Sequence, residues 1–187
     1  MARPPRSRQP IKDAALKLFV ERGIHATGIR DIAGAAGCSE AALYRHWDNK
    51  DDLITSLFRE HVTEVVTILD RELNEPGPPS SRLLGALSSL CDYYDRSPYA
   101  FRLVLLVQHD LGPLLPAEVR MPHAAVGDFV FQIDPQIPTD QIQLQAAAAI
   151  GAFIECSSRV IYGHLSGPIG KHLSTVHRLC CRILDIR

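Results

Sequence analysis

The sequence lacks the signatures of most catalytic and metal centres. Its five cysteines, Cys38, Cys91, Cys156, Cys180 and Cys181, are an odd number without a Cys-x-x-Cys pair, so they read as free thiols in a reducing cytoplasm rather than as a disulfide framework. The eight histidines form neither His-Glu-x-x-His nor a Cys/His zinc spacing, and His172 and His177 fall on roughly opposite sides of a helix. No metal and no cofactor is expected. There is no phosphate loop, dinucleotide fingerprint or Gly-x-Ser-x-Gly elbow, and no carboxylate pair stands apart from solvated helix faces. An enzyme is therefore the rival reading rather than the expected one. No apolar run approaches the roughly 20 residues of a membrane-spanning helix, and the N-terminus has no apolar h-region, which argues against membrane insertion and secretion and for a cytoplasmic protein. Strand-like alternation and internal repeats are also missing.

What is present is a globular composition, 46% hydrophobic and 22% charged, that allows one compact domain or a small domain joined to a larger one. The formal net charge of -1 hides an asymmetry. Residues 1–50 hold nine Lys or Arg against five Asp or Glu, and the remainder is acidic. A local excess of cations suits phosphate binding, and Arg3, Arg6 and Arg8 form a short basic arm.

Apolar periodicity predicts helices throughout, so the fold class is all-α. Ile11, Ala14, Ala15, Leu18 and Phe19 line one face of a first helix that Gly23 stops. Thr27-Gly28 can cap a second, with Ile29, Ile32, Ala33 and Ala36 on one stripe up to Gly37. Ser39 caps a third over 40–47 with Leu43 and Trp47 inward, and Asn49 a fourth reaching about Leu73. The Pro/Gly segment 74–81 breaks that helix. Further helices are predicted over 81–96, 98–109, 117–132, 139–164 and 169–186. The vicinal pair Cys180-Cys181 could sense oxidants, but helical neighbours point about 100 degrees apart, which favours packing.

Two short helices joined by Gly37-Cys38-Ser39 fit a helix-turn-helix, and they fit a structural corner of an all-α core as well. With Leu43 and Trp47 inward, Glu40, Ala41, Tyr44 and Arg45 face out, with His46 beside them and Lys50 just beyond. Arg45 can pair bidentately with guanine, Ala41 can meet a thymine methyl, Glu40 can accept from cytosine N4, and Tyr44 and His46 can reach phosphate.

The segments Gly23-Ile-His-Ala-Thr-Gly-Ile-Arg-Asp-Ile-Ala33, Ala36-Gly-Cys-Ser39 and Leu43-Tyr-Arg-His-Trp-Asp-Asn-Lys-Asp-Asp-Leu53 together resemble the TetR family of bacterial transcriptional regulators over about residues 10–58. The resemblance implies a three-helix DNA-binding domain over 1–50 and a larger helical domain over 51–187 that binds a small ligand and dimerises. It places Thr27, Tyr44, His46 and Lys50 at phosphates and Arg30, Glu40, Ala41 and Arg45 at bases, with Ser39 capping the reading helix. The sequence departs from the family at Gly28 and Ala42, where hydroxyl residues are frequent, and at Trp47, where Phe is usual.

On the last predicted helix Leu173, Val176, Cys180 and Ile183 repeat at 3-4-3 spacing, and the resemblance implies a homodimer through about 139–164 and 169–186. Tyr94, Phe101, His109 and Phe129 are the candidate ligand contacts, suiting a small hydrophobic or aromatic effector. The expected function is that of a sequence-specific regulator of transcription, a repressor by family default, whose affinity for a palindromic operator an effector modulates. The alternatives are an all-α enzyme and a DNA-binding protein without sequence preference.

Overall fold

A computed structural model describes residues 8–111 and 119–186, with the side chains of 105–111 left out. Its described elements are α1 (Arg8–Arg22), α2 (Ile29–Ala35), α3 (Glu40–Tyr44), α4 (Lys50–Leu73), α5 (Pro79–Arg96), α6 (Pro98–Leu111), α7 (Pro122–Ile133), α8 (Thr139–Ile161), a 3-10 turn (Ile169–His172) and α9 (Leu173–Ile183). No strand occurs among the described residues, so the all-α expectation holds.

These helices pack as two units: residues up to His61 together with 98–117, and Val62–Ser97 together with 118–187. The boundary falls inside α4, and α6 belongs to the first unit. That division differs from the single cut at residue 50 expected from the sequence, because α6 packs on α1.

In the first unit the predicted stripe of α1 is inward: Ile11, Ala15, Leu18 and Phe19 are buried, joined by Leu16. Gly23 ends the helix at φ +88, a left-handed conformation that favours glycine, and its N–H donates to the Phe19 carbonyl. α2 buries Ile32 and Ala33. Its N-cap is Gly28, which has no side chain to offer, so the Asp31 carboxylate instead reaches back to accept the Gly28 N–H at 3.0 Å. Gly37 turns the chain at φ +66. The Ser39 hydroxyl then accepts the Ala42 N–H at 3.2 Å and starts α3.

The third helix is shorter than expected. It ends at Tyr44, and Arg45–Trp47 continue as turns in which the His46 and Trp47 N–H groups both donate to the Leu43 carbonyl. Leu43 and Trp47 remain inside, 0% and 3% exposed. The Trp47 indole N–H donates to the Ser56 hydroxyl of α4 at 2.8 Å, and Ser56 passes its own proton to the Leu53 carbonyl at 2.9 Å. Asn49 caps α4 as read from the sequence, accepting the Asp52 N–H at 2.8 Å. Lys12 of α1 pairs with Glu60 of α4, and the Tyr99 hydroxyl of α6 donates to Glu21 of α1 at 2.8 Å.

In the second unit α7 packs on α8, α8 on α9, and α9 on α5. Arg82 of α5 is the cross-link among helix ends: Nε donates to the Leu73 carbonyl at 2.6 Å, a second nitrogen donates to Gln132 of α7 at 2.7 Å, and the guanidinium lies 4.8 Å from the centre of the Phe129 ring. The helix expected over 117–132 begins only at Pro122, where proline fits the first turn. Positions 119–121 are not helical, and Ala117 lies outside the described residues. The last expected helix, 169–186, divides into the 3-10 turn and α9.

α8 is long and apolar enough to cross a membrane by length and composition, with mean hydropathy 1.2 over its best 18-residue window, only 28% of which is buried. One side of it, with Ala146, Ala149, Phe153 and Ser157, is buried in the protomer. The opposite side carries Leu144 and Tyr162 at 71% and 60% exposed.

Removing the donor in Trp47→Phe, or the acceptor in Ser56→Ala, is expected to cost about 1–2 kcal/mol each, through the lost bond and an unsatisfied buried partner. The double variant should cost less than the sum, with a coupling of roughly 0.5–1.5 kcal/mol in urea unfolding. Additive losses would mean that the indole contributes only its bulk.

Candidate DNA interface

The helix-turn-helix places the expected side chains unequally. Arg30, Ser39, Glu40, Ala41, Tyr44 and Arg45 are exposed, Tyr44 half so at 50%. Because Leu43 and Trp47 are fixed inward, α3 presents Glu40, Ala41 and Tyr44, with Arg45 at its cap, on the outer side. Short Ala41 beside longer Arg45 and Tyr44 gives a row that can approach a groove floor at one point and reach sideways at others. His46 is half-buried, its ring edge-on to Trp47 at 5.5 Å between centroids. Arg8, at the start of α1, lies over the same indole at 5.8 Å, which sets a cation beside Trp47.

Two of the expected phosphate contacts are turned to other work. Thr27 is 1% exposed, and its hydroxyl points inward, 2.8 Å from the Gly23 carbonyl and 3.3 Å from that of Leu18. The surface hydroxyl expected of Thr27 is therefore absent. The residue instead closes the loop between α1 and α2, since a hydroxyl is the smallest side-chain donor that can satisfy a carbonyl left free at a helix end. Lys50 is half-buried and donates to the carbonyls of Ile24, at 3.0 Å, and Thr27, at 3.2 Å. Two of its three protons are thus held by the same loop, and one donor and the full charge remain beside it. The resemblance places both residues at phosphates by position but carries no signal for the direction of a side chain, which depends on where α1 ends relative to α4.

The ligand candidates fall in both units. Phe101 is buried in the first unit, whereas Phe129 is buried and Tyr94 half-buried in the second. The side chain of His109 lies outside the described residues. A groove of about 610 Å³ in the second unit is lined by Glu64, Thr67, Ile68 and Arg71 of α4 and Ser89, Asp92, Asp95 and Arg96 of α5. None of the four candidates lines it, and its walls are charged. Beside it Glu72 accepts from Arg71 at 2.7 Å and from the Ser89 hydroxyl at 2.8 Å, and these bonds hold its carboxyl below the usual range.

Residues 11–57 match the family model described as bacterial regulatory proteins, tetR family. The match begins at the first core residue of α1 and ends in α4, covering the whole helix-turn-helix. Over those residues the chain resembles the TetR family. Among curated TetR-like relatives it is similar to the HTH-type transcriptional activator FasR of Mycolicibacterium smegmatis, 30% identical over 120 residues that cover 64% of this chain and 55% of FasR. It is also similar to the HTH-type transcriptional repressor KstR2 of Rhodococcus jostii, 38% identical over 80 residues that cover 43% of this chain and 39% of KstR2. The chain thus spans between about two fifths and just over half of the length of these relatives. A crystal structure of FadR from Bacillus subtilis in complex with stearoyl-CoA shares the fold, with TM-score 0.74 at 16% identity, over 92% of this chain and 96% of that one.

Thr27→Val keeps the shape and deletes the hydroxyl. It is expected to lower stability by about 1–2 kcal/mol, because the hydroxyl proton shared by the Gly23 and Leu18 carbonyls is lost. DNA affinity per folded molecule, measured well below the melting temperature, should stay within twofold of wild type; a large loss with unchanged stability would restore Thr27 to the contact surface.

Proposed function

We propose that the protein is a sequence-specific DNA-binding regulator of transcription, acting in the cytoplasm as a homodimer on a palindromic operator, and a repressor whose affinity a hydrophobic ligand modulates. The observation that carries this reading is the outward row Glu40, Ala41, Tyr44 and Arg45 on a short helix whose other side is locked by Leu43 and Trp47. Generic affinity for DNA needs only cations. A row that mixes a carboxylate, a methyl, a phenol and a guanidinium instead suits the edges of particular base pairs. In this reading Arg30, Glu40, Ala41 and Arg45 face bases, and Ser39, Tyr44 and His46 face the backbone. Thr27 and Lys50 shape the loop that leads into α2, which carries Arg30, with Lys50 lending its charge. Residues 1–50 supply the interface, and 51–187 the effector site and the dimer.

Dimerisation is supported by α8 and α9. The 3-4-3 pattern Leu173, Val176, Cys180 and Ile183 was expected to meet a partner, but Val176 and Cys180 are buried within the protomer. What remains exposed is a different stripe, Leu144 and Tyr162 on α8 and Leu179 on α9. Covering it against a second copy would bury apolar surface now facing water, and two-fold symmetry would double the contact set on a palindrome. Ligand control is the population shift of such a dimer between forms whose reading helices do and do not match successive major grooves. The stearoyl-CoA bound by the structurally similar FadR makes long-chain acyl-CoA the first effector class to try, with Tyr94, Phe101, His109 and Phe129 as candidate contacts.

The test is binding of the purified chain to palindromic fragments and to scrambled DNA of equal length at physiological salt. A preference of about 10³-fold or more is expected. Equal affinity with a steep salt slope would replace this reading with a non-specific DNA-binding protein, and saturable turnover without DNA affinity would replace it with an enzyme. On the preferred site, Tyr44→Ala should weaken binding to all sequences. Arg45→Ala should cost about 1–3 kcal/mol and relax preference at one position per half-site. If both variants bind like wild type, the assignment of the reading face is wrong.

A further inference from the structure

Among the described residues two buried side-chain polar atoms have no hydrogen-bond partner, Oε1 of Gln145 and Nε of Arg102. The first is a neutral acceptor whose amide nitrogen is already engaged, donating to Asp185 at 3.0 Å. The second is an N–H of a permanent cation, and a bare buried donor on a charged group is the costlier of the two. Arg82 and Arg102 are the half-buried arginines among the described residues. The fold gives Arg82 the Leu73 carbonyl, the Gln132 side chain and the face of Phe129. It gives Nε of Arg102 no acceptor, and none of the ion pairs among the described residues includes Arg102. One turn earlier on α6 the Tyr99 hydroxyl donates to Glu21 of α1. Glu21 raises the Tyr99 phenol and the Arg102 charge pulls the other way, which sets the guanidinium near that hydrogen bond. The helix around Arg102 is apolar, with Ala100, Phe101, Leu103 and Val104 buried.

We propose that Arg102 is the anchor for an anionic headgroup, a carboxylate or a phosphate, carried on an apolar effector. The inference rests on the reading of a hydrophobic effector and deepens it: the tail supplies apolar burial, and the headgroup supplies the acceptor that the fold withholds. Either oxyanion offers two oxygens to the fork formed by Nε and one terminal nitrogen, which an arginine presents by turning its last torsions. One ligand group then satisfies the orphaned donor and meets the charge. A free hydrated anion is the poorer fit, because it sheds water at a half-buried site with no apolar burial to offset that loss. A neutral apolar ligand is poorer too, since it leaves Nε bare. Arg102, Tyr99 and Glu21 all belong to the first unit, so the anchor bears on the contact of α6 with α1.

The experiment is calorimetric titration of the full chain, without DNA, with decanoate, decyl phosphate and 1-decanol, each below the concentration at which it aggregates. At least one of the two anions is expected to bind wild type about tenfold or more tightly than the alcohol, and the tighter anion names the headgroup. Arg102→Met keeps the stem and removes the fork. It should bring both anions down to the affinity of 1-decanol, with 1-decanol itself within about twofold of wild type. Arg102→Lys, which restores the charge without Nε, should recover part of the preference. Because Arg102→Met deletes an unsatisfied donor, it should melt no lower than wild type. Equal binding of anions and alcohol to wild type, or an unchanged preference in folded Arg102→Met, would overturn the anchor and leave the hydrophobic effector standing. Binding of none of the three would overturn the effector reading together with the anchor. Melting of Arg102→Met well below wild type would mean that the guanidinium holds the fold, and would overturn the anchor as well.

Discussion

A reading helix of five residues cannot hold itself in water, since a single turn forms one or two hydrogen bonds against the ordering of several residues. α3 therefore exists only as far as the rest of the first unit holds it, and the grip is the burial of Leu43 and Trp47. Full burial of a large apolar side chain contributes about 1.5–3 kcal/mol, comparable with the ordering cost of the turn. The Ser39 cap fixes where the helix begins, and the Trp47–Ser56 bond fixes where its far end meets α4. With both ends and one face determined, the direction of Glu40, Ala41, Tyr44 and Arg45 is no longer free. Specific readout needs that, because a misdirected guanidinium still finds phosphate but not one base edge.

The loop before α2 obeys the same logic with polar groups. Carbonyls left over at the end of α1 and in the loop after it need donors, and the chain supplies them from Thr27, to Gly23, and from Lys50, to Ile24 and Thr27. The cost is two side chains that would otherwise reach outward. Part of the local cationic character is thus spent on shape, whereas Arg30 and Arg45 stay exposed.

What the sequence made legible follows from what periodicity encodes. The inward stripes of α1 and α2, the caps at Ser39 and Asn49 and the stop at Gly23 are local: each depends on residues within a turn or two, and each matches the structure. The turned-in hydroxyl of Thr27 and the tethered Lys50 depend on contacts across the fold, so residue type alone gave position without direction. The start of α7 was misplaced by several residues because a proline inside an apolar run reads as a break and as a first-turn residue alike. On α9 the regular 3-4-3 spacing drew attention to Val176 and Cys180, yet that spacing marks the face packed against the protomer. The exposed apolar surface of α9 is the less regular one, with Leu179. Half of the ligand reading was never legible, since a buried phenylalanine such as Phe129, under Arg82, has the same pattern whether it fills a core or lines a pocket.

The membership of α6 in the first unit bears on how a ligand could act. A regulator built from two independent bodies would need its effector to rotate one against the other. Here a helix that follows the Pro98 break belongs with α1 by packing and by the Tyr99–Glu21 hydrogen bond, whose carboxylate acceptor pushes the phenol above its ordinary range. In the proposed reading, a ligand that favours one placement of α6 over another acts directly on α1, and by linkage DNA that fixes α1 alters affinity for that ligand by the same factor.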